Sequence, residues 1–226
     1  MSLNGIIFDL DGTLTDTLPL CINAFREALG SLAGRSFSDD EITQTFGPSE
    51  EGTINALIPE HYEEGLRRYL EAYDRLITDG YGPFPGIIQW LERLKSSGMK
   101  LGLVTGKGPG STKLTMARFN LANFFDHVAT GSPTGPVKKE RICELLQLWR
   151  LPAREVVYIG DAPSDVIAAQ AAGVWMIAAT WSPASNFYRK QLLSLAPDIV
   201  VGSIEEAAAW IEERKGEFKQ EIAEEG

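Results

Sequence analysis

The amino-acid sequence predicts an α/β domain: a parallel sheet covered by helices on both faces, interrupted by an inserted all-helical cap. Three observations point there. Short continuous apolar runs, the kind that suits strands buried on both faces, recur along the chain. Helical patterns separate most of them, as parallel strands require. One long stretch near the N-terminus is helical in pattern and contains no such run.

The first strand is expected at Gly5-Ile6-Ile7-Phe8, where it is stopped by the carboxylates and glycine of Asp9-Leu10-Asp11-Gly12-Thr13. From about Asp16 to Pro83 only helices are expected: Leu20 to Leu29, Asp39 to Phe46, Glu50 to Leu57 and Tyr62 to Ile77. Ser38 and Ser49 stand as N-caps, and Gly80 to Gly86 (GYGPFPG) reads as a linker back to the sheet. Further strands are expected at Leu101 to Val104, Val156 to Ile159, Val174 to Ile177 and, more weakly, Ile199 to Val201. Helices are expected at Ile87 to Lys95, Ser111 to Phe119, Ile142 to Trp149 and Ile204 to Ile211. His127, after Phe124-Phe125-Asp126, marks one more strand start. The alternation describes a Rossmann-like parallel core of residues 1–15 and 86–226 with a helical cap of residues 16–85. The acidic stretch from Glu212 onward reads as a solvated helix end.

Composition narrows the function classes. At 226 residues, 44% hydrophobic and 23% charged, the chain can bury a sizeable core and is not disordered, collagenous or coiled-coil. A net charge of −10 repels polyanions, so neither nucleic acid nor an acidic membrane surface is an expected partner. Cys21 and Cys143 fit no disulfide framework and no zinc spacing, which favours a reduced, cytoplasmic setting. No apolar run approaches the roughly 20 residues of a membrane span. The N-terminus also lacks the basic and apolar regions of a secretion signal.

In parallel α/β sheets ligands sit at the carboxyl ends of strands. The expected strand ends carry Asp9 and Asp11, then Thr105-Gly106-Lys107, then Gly160-Asp161 with Asp165 one helical turn beyond. Lys138 opens the helix that leads into the third of these strands. Converging carboxylates repel one another unless a cation sits among them. Oxygen ligands without His or Cys select a hard ion, Mg²⁺ where phosphates are handled. Thr105, the amides around Gly106 and the Lys138 ammonium can cradle an anionic group. Together these suggest phosphoryl transfer through an aspartyl phosphate, with the second carboxylate moving the protons. Gly12 lets the chain turn sharply past the reacting centre.

The pattern resembles the haloacid dehalogenase superfamily of phosphohydrolases, whose four motifs are matched by Asp9-Leu10-Asp11-Gly12-Thr13, Thr105, Lys138, and Gly160-Asp161 with Asp165. The resemblance covers nearly the whole chain, including the cap. It implies Asp9 as nucleophile, Asp11 as general acid/base, and Thr105 and Lys138 as holders of the phosphoryl group. It also implies Mg²⁺ bound by Asp9, the main-chain carbonyl of Asp11 and Asp161, with Asp165 supporting. Two departures stand out. Lys138 is followed by Lys139-Glu140 where many relatives have proline; Lys138 is preferred because Ile142, Leu145 and Leu146 then fall in place as the helix's buried face, and Lys139 is the alternative phosphate-contacting lysine. Ala162 replaces a small hydroxyl residue.

Other residues admit blander readings. Lys107 and Lys113 are taken as solvated helix charges, His61 as a surface or capping residue, and His127 as structural. Trp181 belongs to packing or to the mouth of the site. The segment Phe46-Gly47-Pro48-Ser49-Glu50 is either a loop aimed at the substrate or a helix start. Arg67 and Arg68 face either a substrate carboxylate or solvent.

Single residues sort the relatives that the resemblance brings in. Asp11 excludes dehalogenation proper, and the absence of lysine from Leu14 to Phe84 excludes Schiff-base phosphonate chemistry. Cys21 stands near where phosphosugar mutases of the β-phosphoglucomutase type carry a histidine. The expected activity is a phosphoglycolate phosphatase-like hydrolysis of a small phosphorylated metabolite. The alternatives are a mutase, a pyrophosphatase, or a phosphate-binding regulator without turnover.

Overall fold

The computed structural model describes residues 2–77, 80–183 and 185–216. Six parallel strands form one sheet in the order β3-β2-β1-β4-β5-β6. They are β1 Gly5–Phe8, β2 Lys100–Val104, β3 His127–Ala129, β4 Val156–Gly160, β5 Trp175–Ala179 and β6 Ile199–Val201. Each expected run became a strand, and His127 does open the remaining one.

Side chains alternate across the sheet with period two. Ile6, Phe8, Leu101, Leu103, Val157, Ile159 and Ile177 face one apolar cluster. There they meet α5 Ile87–Ser96, α6 Pro109–Arg118 and α10 Ile204–Gly216. Ile7, Val104, Val156, Tyr158, Met176 and Ala178 face the other, against α7 Lys138–Trp149, α8 Pro163–Ala172 and α9 Ser185–Ser194. Burial on both faces is why these strands read as unbroken apolar runs.

Between β1 and β2 lie α1 Leu18–Ala33, α2 Asp39–Thr43, α3 Glu50–Leu57 and α4 Tyr62–Leu76. Their apolar faces close on a third cluster of their own, centred on Phe25, Leu29, Ile54, Tyr69 and Tyr73. Phe25 stacks on Tyr69 with ring centroids 4.3 Å apart. Ser38 caps α2 through a reciprocal pair with Glu41, as its position suggested. Ser49 occupies the N-cap position of α3, but its hydroxyl donates to Glu51 at 2.5 Å instead. α2 ends at Thr43, short of the expected Phe46. The chain enters and leaves this insertion side by side: Asp16 N–H donates to Gly82 at 2.9 Å, and Phe84 N–H to Leu14 at 3.0 Å. The stretch from Glu212 is helical to Gly216. The rest of that expectation lies outside the described residues. Among the described residues no helix is long and apolar enough to cross a membrane.

Candidate active site

Strand register brings the site together. Phe8 lies level with Leu103 on one side and Ile159 on the other. The residues just beyond, Asp9, Thr105 and Asp161, therefore emerge at one edge of the sheet. Asp9 is anchored there by its N–H, which donates to the Ile159 carbonyl at 2.9 Å.

Asp9, Asp161 and Asp165 each present a carboxylate oxygen within 4.8 Å of the others, and all three are buried. Asp165 reaches the cluster from the first turn of α8, where its other oxygen accepts the Ala162 N–H at 2.9 Å. Gly160 has no side chain to block it, since a Cβ there would overlap the Asp165 carboxylate. Gly12 makes room in the same way for Asp161 and holds φ at +79°, so it serves both the turn and the close approach. Thr13 then donates its hydroxyl to Asp161 at 3.2 Å.

Lys138 sits at the start of α7, one and two turns before Ile142 and Leu145, which pack into the core. That face points at the sheet, and its Nζ lies 2.9 Å from Asp9 Oδ2 and 2.5 Å from Asp165 Oδ1. Lys139, about 100° around the helix, is exposed. Burial opposes charge on Lys138, but Asp165 and Asp9 hold the ammonium well above the usual lysine range. The Tyr158 hydroxyl lies 3.0 Å from Asp165 Oδ1 and 2.9 Å from the Val104 carbonyl, tying the carboxylate to the sheet.

Three buried carboxylates face one ammonium. Desolvation pushes Asp9 up to about 6, with Lys138 pulling the other way and Asp165 and Asp11 adding to the rise. Desolvation, then Asp165 and Asp9, also hold Asp161 well above the ordinary carboxylate range. Asp9 Oδ1 is buried without any hydrogen-bond partner. A buried orphan oxygen is costly, and a hard cation bound by an oxygen-only donor set meets that need. These residues fit Mg²⁺.

Asp11 stands apart from this trio. Its Oδ1 accepts the Thr17 hydroxyl and lies 3.9 Å from Cys21 Sγ, and its Oδ2 is 3.4 Å from Lys107 Nζ. Thr105 is buried, and its Oγ1 accepts the Lys107 N–H at 3.2 Å. Gly106 comes close to Lys138, whose Cε would lie 3.7 Å from a Cβ there.

One expectation is overturned. Lys107 is not a solvated helix charge, because α6 begins only at Pro109 and Lys107 is 5% exposed. Its ammonium lies 3.1 Å from Cys21 Sγ, 3.3 Å from Glu50 Oε1 and 4.4 Å from the Tyr73 ring centre. Burial opposes its charge, yet the Asp11 carboxylate holds it well above the usual range. Lys113 is exposed, as expected. Glu50 was legible only as part of an ambiguous segment; that segment is both a helix start and a contact between the insertion and the core. Burial pushes the Cys21 thiol up to about 12, so it remains a thiol rather than a nucleophile.

Arg67 and Arg68 pair with Glu64 on the exposed face of α4 and do not approach the strand ends. His61 is exposed before α4, and His127 lies in β3. Trp181 packs on the core, and its indole N–H donates to the Thr13 carbonyl at 2.9 Å, bracing the loop that carries Asp11.

Comparison with known proteins agrees with the geometry. Residues 6–179 match the family model described as haloacid dehalogenase-like hydrolase. A pyrophosphatase PpaX of Bacillus mycoides is 28% identical over 207 residues, covering 89% of this chain and 93% of that protein. A haloacid dehalogenase-like family hydrolase of Streptococcus pneumoniae superposes with a TM-score of 0.71 at 29% identity, over 92% of this chain and 98% of that one. A structure from Haemophilus somnus, described as a predicted phosphoglycolate phosphatase, shares the fold with a TM-score of 0.72 at 19% identity, over 88% and 94%. With its motifs gathered at one sheet edge and most of its length matched by the family model, this chain belongs to the haloacid dehalogenase-like hydrolases.

Proposed function

We propose that this protein is a Mg²⁺-dependent phosphatase that hydrolyses a small phosphate monoester through an aspartyl phosphate on Asp9. The observation that carries this is the orphan Asp9 Oδ1 beside Asp161 and Asp165, with Lys138 on the opposite oxygen of the same carboxylate. Asp9, Asp161 and the Asp11 carbonyl are the assigned metal ligands, and Asp165 supports them by holding Lys138. Bound there, Mg²⁺ would offset the surplus carboxylate charge and let a phosphate dianion approach.

Asp9 attacks phosphorus as the ester oxygen leaves. Asp11 gives that oxygen a proton, then takes one from the water that cleaves the acyl phosphate. Thr105, the Gly106 amide and Lys138 hold the phosphoryl oxygens. Residues 1–15 and 86–226 form the catalytic core, and residues 16–85 a cap that excludes water and encloses the substrate. The separate apolar cluster of the helical insertion supports that division.

The reaction is tested with p-nitrophenyl phosphate, with Mg²⁺ and after EDTA, followed by a screen of phosphorylated metabolites. EDTA should abolish turnover and Mg²⁺ restore it. Ca²⁺ should inhibit, because its longer bonds and looser geometry misplace the phosphoryl group. Full activity in the chelated protein would sink the metal assignment. Pyrophosphate belongs in the same screen, because the Bacillus mycoides relative carries that activity in its name.

A further inference from the structure

Helix α6 starts without a cap of its own. Its N-cap residue is Gly108, which has no side chain to accept the free N–H groups of the first turn, and Pro109 follows at N1. For one donor at this helix start, the Gly108 N–H, the acceptor comes instead from the helical insertion. Glu50, 7% exposed, takes the Gly108 N–H on one carboxylate oxygen and the Ser111 hydroxyl on the other. The second oxygen also lies 3.3 Å from the Tyr69 hydroxyl and 3.3 Å from Lys107 Nζ. The neighbouring Glu51 carboxylate also packs close to Gly108, where it would meet a Cβ. Beside it, Ser49 N–H donates to the Ser132 carbonyl at 2.8 Å.

Lys107 links this contact to the reacting groups. Of the groups around its ammonium, Glu50, Cys21 and Tyr73 belong to the insertion, and Asp11 belongs to the loop after β1. Withdrawal of the insertion would remove the first three together. The ammonium would then be left with Asp11 and water.

We propose that Glu50 is the latch by which the helical insertion docks on the core, and that Lys107 is a positioning residue that couples docking to Asp11. Docking supplies the acceptor for the Gly108 N–H at the start of α6 and divides the Lys107 charge between Glu50 and Asp11. Undocking returns the whole of that charge to Asp11 and holds its proton-transferring carboxylate away from the reacting oxygen. The coupling to Asp11 rests on the phosphatase reading; the latch does not.

Hydrogen exchange on the full chain tests the latch without any substrate. Glu50→Ala should raise exchange in residues 107–112 by about tenfold, the scale of a lost helix cap, with β1 and β4 unchanged. Glu50→Gln retains one acceptor and should fall between Ala and the native chain. It also covers the possibility that the alanine variant folds poorly. Unchanged exchange in 107–112 in both variants overturns the latch.

The coupling is read from leaving groups, using Lys107→Met alongside Glu50→Gln. In single-turnover acid quench, phosphorylation of the protein by a sugar-like ester should slow about tenfold or more while phosphorylation by p-nitrophenyl phosphate changes far less, because only the former needs the Asp11 proton to depart, whereas hydrolysis of the acyl phosphate needs Asp11 as base for both. Equal losses on both esters overturn the coupling. A native protein that hydrolyses no phosphate ester overturns the phosphatase reading and the coupling with it, whereas the exchange result decides the latch alone.

Discussion

Asp9 and Asp11 are two residues apart and project to the same edge of the sheet, while Leu10 between them is wholly buried in the core. Their surroundings differ. Asp9 has the Lys138 ammonium on one oxygen and nothing on the other. Asp11 has the Thr17 hydroxyl, the Cys21 thiol and Lys107 around it. The first setting suits a nucleophile and the second a group that shuttles protons. Asp9→Asn should abolish turnover without a covalent intermediate. Asp11→Asn should accumulate an acyl phosphate when the leaving group is good, because departure needs no proton while hydrolysis still needs a base. With a poor leaving group both steps should slow, by the about 10²–10⁴-fold typical of general acid–base catalysis. Acid quench followed by intact mass checks this. A phosphoryl group on any residue other than Asp9 contradicts the division of labour.

At the scale of elements, close approach of helix and strand sets the register of the site. α7 seats on β1 and β2 through glycines: Trp149 Cζ3 would lie 3.0 Å from a Cβ at Gly5, and its Cη2 2.8 Å from one at Gly102. Leu145 would overlap that second Cβ outright. Lys138 opens the same helix, so lifting α7 moves the ammonium off Asp9. Gly102→Ala should cost about 1–3 kcal/mol through overpacking. In a Leu145→Ala background, itself costly by about 2–5 kcal/mol, the further loss should shrink. Urea unfolding of the four proteins measures the cycle. Costs that add within about 0.5 kcal/mol would show that the two side chains do not compete for one space.

At the scale of the molecule, the insertion meets the core at several points beyond Glu50. The Tyr73 hydroxyl lies 2.8 Å from Thr115 Oγ1, and Arg118 Nε donates to the Ile77 carbonyl at 3.1 Å. If the insertion acts as the proposed lid, it admits only what it can enclose. Small phosphorylated metabolites should therefore be hydrolysed well ahead of phosphopeptides. Comparable kcat/KM values for a phosphopeptide and the best metabolite would rule out closure over the site. Among the described residues the insertion joins the core through the paired segments at Leu14–Asp16 and Gly82–Phe84. Those segments are where a hinge belongs.

The sequence by itself determined the sheet, the helical insertion, the three groups of residues at the strand ends and Lys138 at the start of a helix. Burial on both faces writes a strand as an unbroken apolar run, and a carboxylate just past such a run lands at the ligand edge. It also favoured Lys138 over Lys139, through the spacing to Ile142 and Leu145. The tertiary structure alone decided the surroundings of Lys107 and Glu50. A local signal for Lys107 did exist: Pro109 marks the first turn of α6 and leaves Lys107 in the loop before it. Nothing local marks Glu50 as the acceptor for the N–H of Gly108, 58 residues later, at the start of α6. Its partners are set by how the insertion folds back over the core, and a long-range contact of this kind has no periodicity along the chain to betray it.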